Sequence, residues 1–300
     1  MNQRIASIAY QGESVVSISS RTDSSQADMP PSDTQAHLTN SSPKSNTKFD
    51  LLQHILDNKT ICPIFQPIVD IQNGLVFGYE ALTRGPLKSP LYSPIELFKT
   101  AYQSKQLPLL ESLCSDSSIR KFSQQKLPGL LFLNLSPIAL IDFHSRGIHP
   151  EHILQEVGQK PETVVLELSE QYPYDDMGIL LPILETYRSL GIRIAIDDMG
   201  AGYADLQLWS RLKPDFVKID RYFIDGIHKD PSKELFVKMM VDLSYKMGAT
   251  LIAEGIELPQ ELQVIRRLGV KLCQGFLFAK PQGAPPVRID PSSWGEQRAG

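Results

Sequence analysis

The sequence predicts an α/β fold, a modified TIM (β/α)₈ barrel with an antiparallel first strand. Eight apolar or β-branched runs alternate with amphipathic helical patterns along the chain, which is the order of elements in such barrels. Only Asp70–Gly74 separates the first two runs, and its Asn-Gly pair is a strong signal for a hairpin turn. A parallel pair would need a crossover of about a dozen residues. The first strand is therefore expected to run antiparallel to the second.

The predicted strands are short runs bounded by turn residues or by helical patterns. They are Cys62–Val69, Leu75–Leu82, Gly129–Leu135, Thr163–Leu168, Ile192–Ile196, Phe216–Ile219, Thr250–Ala253 and Val270–Cys273. Amphipathic helical patterns fill most of the gaps, for example Ile179–Leu190, Lys233–Lys246 and Pro259–Leu268. Gly191 and Gly269 follow two of these patterns, as residues that end helices commonly do.

Composition divides the chain of 300 residues into three predicted parts. Residues 1–48 form an arm rich in Ser, Thr and Gln. The arm cannot bury enough apolar surface to offset its ordering entropy, so we expect it to be disordered. Residues 49–284 hold the strand patterns, and a hydrophobic fraction of 42% suffices for a sizeable core. Residues 285–300 are expected to form a loosely ordered tail.

Charge and cysteine content exclude several classes of protein. A formal net charge of −4 leaves no basic footprint, so we expect no direct DNA binding. The longest apolar runs, such as Leu130–Leu133, are too short to span a membrane, and the N-terminus lacks the pattern of a secretory signal. The three cysteines form no CxxC pair, which argues against a zinc ribbon or a disulfide framework. We therefore expect a cytoplasmic protein.

Polar side chains lie at or just after the ends of seven of the predicted strands. They are Glu80 and Arg84, Asn134, Glu167 and Glu170, Asp197 and Asp198, Lys218 and Asp220, Glu254 and Glu257, and Gln274. In a barrel these strand ends converge on one mouth, where active sites lie. A salt bridge at the barrel rim would explain any one of these acids taken alone. It does not explain why polar groups occur at the ends of seven strands. So many carboxylates cannot all stay ionised without cations, and their oxygens suit Mg²⁺ or Mn²⁺ better than zinc.

A series of motifs resembles, in order, those of the EAL family of cyclic-di-GMP phosphodiesterases. The motifs are QPIVD, EALTR, NLS, ELSE, DDMGAGY, VKID, AEGIE and QGFLFAKP. The resemblance covers roughly Phe49 to Pro281, and the ordered set on alternating strands and helices is highly specific. The opening strand of that family is antiparallel, as the short hairpin here requires. One departure is DMGAGYAD, where the commonest family version reads DFGTGYSS, which affects the loop Met199–Asp205.

The resemblance implies metal-dependent hydrolysis of cyclic-di-GMP to linear pGpG in bacterial signalling that governs motility and surface attachment. The implied ligands are Glu80, Asn134, Glu167 and Asp197 for a first Mg²⁺ or Mn²⁺, and Asp198 for a second. Two such metals can activate water and stabilise the leaving oxygen. Glu254 is implied as general base, and Lys218 as the group that orients water or neutralises phosphate charge. Calcium is expected to inhibit, because its looser coordination misplaces the attacking water.

The resemblance also implies residues that bind the substrate or support the site. Arg84 would grip a phosphate through its two-pronged guanidinium group, the alternative being a salt bridge to a neighbouring acid. Apolar contacts near the guanine bases would come from Leu82 and Pro281, and polar contacts from Gln66 and Gln274. The residues expected to support the loops around the site are Glu170, Glu257 and Asp220.

The expected partners are cyclic-di-GMP and a second copy of the chain. The resemblance implies a homodimer formed near Met199–Asp205 and the helix that follows, and the arm is a candidate for binding a protein partner. Two alternatives stay open. One is a catalytically silent receptor on the same fold, which the complete ligand set disfavours. The other is a glycoside hydrolase, whose activity would survive EDTA and which needs an aromatic-lined cleft.

Overall fold

A computed structural model of the chain describes residues 47–148, 150–169, 177–200 and 205–294, which form a closed barrel with the strands in sequence order. The strands are β1 (Cys62–Asp70), β2 (Leu75–Arg84), β3 (Leu130–Asn134), β4 (Val164–Ser169), β5 (Arg193–Met199), β6 (Phe216–Ile219), β7 (Thr250–Ala253) and β8 (Leu272–Cys273). Neighbours from β2 to β8 are parallel, whereas β1 is antiparallel to both β2 and β8. The predicted modified TIM barrel is confirmed.

Helices connect the strands. They are α1 (Lys48–Asn58), α2 (Pro94–Gln103), α3 (Leu107–Gln124), α4 (Pro137–Arg146), α5 (Pro150–Val157), α6 (Met177–Ser189), α7 (Asp205–Leu212), α8 (Arg221–Ile224), α9 (Pro231–Met247) and α10 (Pro259–Arg267). Helix α1 begins with a capping box between Thr47 and Asp50, so the predicted arm overlaps it by one residue. Within the described ranges, no helix has the length and hydropathy needed to cross a bilayer.

The β1–β2 hairpin forms as its turn residues predict. Gly74 has a positive φ of 72°, and its N–H donates to the Asp70 carbonyl at 2.9 Å. The Asn73 side-chain oxygen accepts from the Leu75 N–H at 2.8 Å. Because β1 runs antiparallel, its register places Gln66 directly opposite Glu80. A residue near the middle of the first strand is thus brought beside a residue of the EALTR motif.

The barrel interior is built in two layers. An apolar layer consists of Ile68, Leu130, Phe132, Val165, Ala195, Phe216, Ile252 and Leu272. Side chains two residues apart on a strand share a face, so a second layer follows on the same side of each strand. That polar layer consists of Gln66, Asn134, Glu167, Asp197, Lys218, Glu254 and Gln274. Strand periodicity alone therefore gathers seven chemically active residues above an apolar floor.

The segment 285–294 differs from the prediction of a loosely ordered tail. The Trp294 ring is buried and packs edge-to-face on Phe278, with ring centroids 5.3 Å apart. Ile289 is also buried, and the Tyr79 hydroxyl donates to the Pro286 carbonyl at 3.0 Å. The prediction is wrong here because two large apolar side chains anchor a segment that composition alone marks as polar. Residues 295–300, like residues 1–46 of the arm, lie outside the described ranges.

Glu111 is a carboxylate in the buried stripe of α3. Its Oε2 accepts from both the N–H and the hydroxyl of Ser136, each at 2.9 Å. Burial raises the pKa of Glu111 to about 7, although the two hydrogen bonds from Ser136 partly oppose this shift. The folded state therefore binds a proton on Glu111 over a pH range in which the unfolded chain releases it.

We predict that Glu111→Gln makes the protein more stable than the wild type at pH 8 and changes stability much less at pH 5. The wild type has the full contribution of neutral Glu111 below about pH 4.5 and loses it as pH rises to about 7. The loss is on the order of 3 kcal/mol. Free energies of unfolding in urea at both pH values measure it. Glu185→Gln, on an exposed side chain, is the matched control. An identical pH dependence in Glu111→Gln and wild type would refute the prediction.

Candidate active site

Three acids of the polar layer, together with Glu80, meet at the Lys218 ammonium group. The Lys218 side chain is 1% exposed. Its Nζ lies 2.7 Å from Glu254 Oε1, 2.9 Å from Glu167 Oε1, 2.9 Å from Asp197 Oδ1 and 3.4 Å from Glu80 Oε2. We call these five residues the Lys218 cluster. Four strands, β2, β4, β5 and β6, contribute one member each, and Glu254 directly follows β7, as expected at a barrel mouth.

Several carboxylate oxygens of the Lys218 cluster lack hydrogen bonds. Both oxygens of Glu167 and Oδ1 of Asp197 are buried without a hydrogen-bond partner among the described residues. Glu167 Oε1 and Asp197 Oδ1 meet Nζ at ion-pair distance, but without the alignment of a hydrogen bond. Buried polar atoms normally have partners. These oxygens therefore fit a cation, and their donor type fits a hard divalent one.

Burial and mutual repulsion perturb the titration of this site. Burial raises the pKa of Glu167 and Glu254 well above ordinary values, and neighbouring carboxylates raise both further. Asp198 has a strongly raised pKa for the same reasons. Burial alone would lower the pKa of Lys218, but Asp197 and the other acids outweigh it and raise that pKa. One ammonium ion thus stays charged among acids that cannot all ionise without additional positive charge.

A bulge in β5 turns two consecutive aspartates toward the mouth. Consecutive side chains of a regular strand point to opposite faces. Asp198, however, has a positive φ of 54°, and the β5–β6 register shifts between Ile196 and Met199. As a result, one oxygen from each of Asp197, Asp198 and Glu254 lies within 4.8 Å of the other two. This trio can hold a metal ion.

A chain of amide side chains orients Glu80. Its Oε1 accepts from the Asn134 amide at 3.1 Å, and its Oε2 accepts from Gln274 Nε2 at 2.6 Å. The same Gln274 nitrogen donates to Gln66 Oε1 at 3.1 Å, and Gln66 Nε2 donates to the Ala279 carbonyl at 3.1 Å. Gln66 and Gln274 are both buried. Their contact with a guanine base stays a prediction, whereas their contacts here position a candidate metal ligand.

The other predicted substrate-binding residues lie around the mouth. Arg84 is half-buried at the end of β2, and its Nη1 donates to the Thr83 carbonyl at 2.9 Å. Within the described part of the chain, Arg84 forms no ion pair with a carboxylate, so the alternative salt bridge is not made there. Leu82 and Pro281 are half-buried, and each exposes part of its apolar surface.

The predicted supporting residues act on the loops. Asp220 caps helix α8 by accepting from the Tyr222 N–H at 2.8 Å. Glu257 pairs with Arg221 Nη1 at 2.7 Å. Glu170 lies outside the described residues.

Sequence reasoning missed two buried glutamates on outer helices. Glu111 of α3 accepts two hydrogen bonds from Ser136, which lies two residues after Asn134. Glu261 of α10 accepts three backbone N–H hydrogen bonds from loops next to the site. The sequence contains a pattern that could have identified each of these glutamates. Glu111 occupies an apolar-stripe position among Leu107, Leu110 and Cys114, and Glu261 stands third in its helix, where capping boxes place Glu.

Comparisons with known proteins agree with this architecture. Residues 50–281 match the family model described as EAL domain. The probable cyclic di-GMP phosphodiesterase PdeB of Escherichia coli K12 is 32% identical over 238 residues, covering 76% of this chain and 44% of that protein. The chain spans less than half of the length of the curated relatives that it matches.

Two solved structures share the fold. A standalone versatile EAL protein from Vibrio cholerae O395, in its c-di-GMP bound form, has a TM-score of 0.69 and 29% identity, covering 79% of this chain and 98% of that one. The manganese/cy-diGMP complex of Klebsiella pneumoniae BlrP1 has a TM-score of 0.67 and 30% identity, covering 74% of this chain and 56% of that one. BlrP1 also has a structure with calcium and cy-diGMP. With its barrel, its ordered motifs and a family match over most of its length, the chain belongs to the EAL domain family.

Proposed function

We propose that this protein is a metal-dependent phosphodiesterase that hydrolyses cyclic-di-GMP to linear pGpG. The observation that carries the proposal is the Lys218 cluster, in which four carboxylates share one ammonium group and keep buried oxygens that have no hydrogen bond within the described residues. The named activity of PdeB and the c-di-GMP held in the two neighbouring structures support the choice of substrate.

The donor set fits divalent cations. In this proposal the ligands are Glu80, Asn134, Glu167 and Asp197 for a first Mg²⁺ or Mn²⁺, and Asp198 with Asp197 and Glu254 for a second. This assignment is supported by the buried oxygens of Glu167 and Asp197 that lack a hydrogen bond among the described residues, and by the close trio around Asp198. When bound, such cations lower the pKa of water and neutralise the charge of a phosphate undergoing in-line displacement.

The remaining chemistry belongs to side chains of the chain. Glu254 serves as general base, since a carboxylate with a raised pKa accepts a proton more readily. The Lys218 ammonium, held 2.7 Å from Glu254, orients the attacking water or faces the charge that develops on the phosphate. Arg84 binds a phosphate through its guanidinium group. Apolar surface of Leu82 and Pro281 contacts the guanine bases.

A second candidate is a silent cyclic-di-GMP receptor on the same fold. The altered loop sequence DMGAGYAD favours it, since Met199 and Ala201 replace an aromatic and a hydroxyl residue of the commonest family version. The complete set of acids at the mouth opposes this receptor alternative.

We also propose that the protein acts in the cytoplasm, where its three cysteines, all free in the structure, would stay reduced.

We predict that the purified protein with Mg²⁺ converts cyclic-di-GMP to pGpG and that Glu167→Gln lowers kcat by about 100-fold or more, because a buried metal ligand is lost. Anion-exchange chromatography separates the two nucleotides. Glu185→Gln, on an exposed side chain of α6, is the control and should retain full activity. Binding of the nucleotide without any pGpG over hours would favour the receptor. A near-normal rate in Glu167→Gln would reject the ligand set.

We predict that Mn²⁺ or Mg²⁺ alone raises the Tm of the wild type, and that the rise is larger at pH 8 than at pH 6. Protons and cations compete for acids with raised pKa values, so metal binding strengthens as pH increases. Differential scanning fluorimetry measures the shift. Asp198→Asn should reduce this rise in Tm, while Glu185→Gln should not.

We also predict that EDTA abolishes turnover of cyclic-di-GMP and that Ca²⁺ inhibits it. Formation of pGpG that survives EDTA would contradict metal dependence, whereas hydrolysis of a glycoside in the presence of EDTA would favour the glycoside hydrolase alternative.

We propose a homodimer formed near the loop Met199–Asp205 and the helix α7 that follows it. Leu206 of α7 is 61% exposed, and Leu235 and Met239 of α9 are likewise exposed although helical spacing predicts that they face the core. Apolar side chains left in water at this end of the barrel support a protein contact there. As a separate proposal, the arm of residues 1–48 binds a further protein partner.

We predict that light scattering after size exclusion gives the mass of a dimer for the wild type and that Leu206→Asp shifts it toward the monomer. A charge at a buried contact is costly to desolvate. Leu109→Asp, on a leucine of α3 that is 45% exposed, is the control and should remain dimeric. A monomeric wild type at micromolar concentration would contradict the proposal.

A further inference from the structure

We infer that Glu261 is a positioning residue that holds Glu254 against Lys218, an inference that rests on the proposed function. Glu261 is 1% exposed. Its Oε2 accepts from the N–H groups of Glu257 and Leu258, each at 3.0 Å, and its Oε1 accepts from the Gly226 N–H at 2.9 Å. Within the described part of the chain, no Lys, Arg or His side chain lies within ion-pair distance of it. Among the described residues, the hydrogen bonds to the Glu261 side chain come from backbone N–H groups.

The loop after β7 needs such an acceptor. The first N–H groups of a helix lack partners within that helix, and Leu258, at the N-cap position of α10, has no side-chain acceptor. Glu261 makes the reciprocal half of a capping box by accepting from the N–H of the N-cap residue Leu258, and it also accepts from the N–H of Glu257, which precedes the N-cap. It thereby immobilises the C-terminal end of a loop whose first residue is Glu254.

The same carboxylate joins this loop to the loop after β6. Gly226 follows helix α8, which begins directly after Asp220 and three residues after Lys218. The two loops also pack closely, because a Cβ on Gly255 would lie 2.4 Å from Arg221 Cγ. Glu261 therefore ties together the two segments that carry the proposed general base and the ammonium group 2.7 Å from it.

Glu261 links these loops more strongly than the Arg221–Glu257 ion pair does. The Arg221–Glu257 ion pair also joins them, but its side chains are 28% and 35% exposed, and pairs screened by water contribute little. The Glu261 hydrogen bonds are buried and charge-assisted, so they hold geometry more rigidly. A small displacement of a general base lowers the rate of the chemical step more than it weakens substrate binding.

The test is Glu261→Gln, which keeps one acceptor oxygen but turns an NH₂ group toward backbone N–H donors. We expect kcat for pGpG formation to fall by about 10-fold or more and KM for cyclic-di-GMP to stay within about twofold, as for outer residues that orient metal-site groups. Adding Leu258→Thr should restore most of kcat, because a hydroxyl at the N-cap and a Gln at the third helical position form a complete capping box. Glu234→Gln breaks an ion pair to α10 at Arg267 and should leave kcat unchanged.

The outcomes separate this inference from the proposed function. Normal kcat in Glu261→Gln, or a loss that Leu258→Thr does not rescue, overturns the inference while the function stands. If the wild type shows no turnover, the function fails, and the Mn²⁺-induced rise in Tm becomes the readout, since Glu254 belongs to the close acidic trio. A smaller rise in Glu261→Gln than in Glu234→Gln then supports the inference, and an equal rise overturns it.

Discussion

The structure depends on one buried ammonium group surrounded by four carboxylates. Lys218 cannot be removed from water without such partners, and the acids cannot lie this close without a cation between them. One positive charge nevertheless leaves the acids in excess. The site is therefore held together by Lys218 and still has the charge and the open oxygens to take up divalent cations, which is the physical basis for the proposed hydrolase.

The barrel provides this arrangement by simple means. Period-2 alternation stacks a polar layer on an apolar one, so most of the acids lie on strands directly above packed apolar side chains. The antiparallel first strand adds Gln66 beside Glu80, and the amide of Gln274 bridges the two. Outer helices then reach inward with Glu111 and Glu261, which hold the loops that follow β3 and β7. The site is thus supported both from within the barrel and from outside it.

Much of this could be predicted from the sequence. The order of strands and helices, the hairpin at Asn73–Gly74 and the acids at the strand ends are encoded locally, by residue periodicity and by turn chemistry. Motifs such as AEGIE and VKID then placed Glu254 and Lys218 at the mouth, because the C-terminal ends of parallel strands converge. Local sequence patterns are therefore sufficient to predict the parts of the fold in which strands and turns have regular geometry.

Only the tertiary structure decided the irregular and long-range features. A bulge with a positive φ at Asp198 turns both aspartates toward one site, although strand alternation predicts opposite faces. Trp294 anchors a segment whose composition indicates a loose tail. Gln66 meets Gln274, and Glu111 meets Ser136, across distances in the chain that no periodicity spans. These contacts depend on register and packing, which arise only when the whole barrel closes, whereas the sequence by itself determined which residues were available to make them.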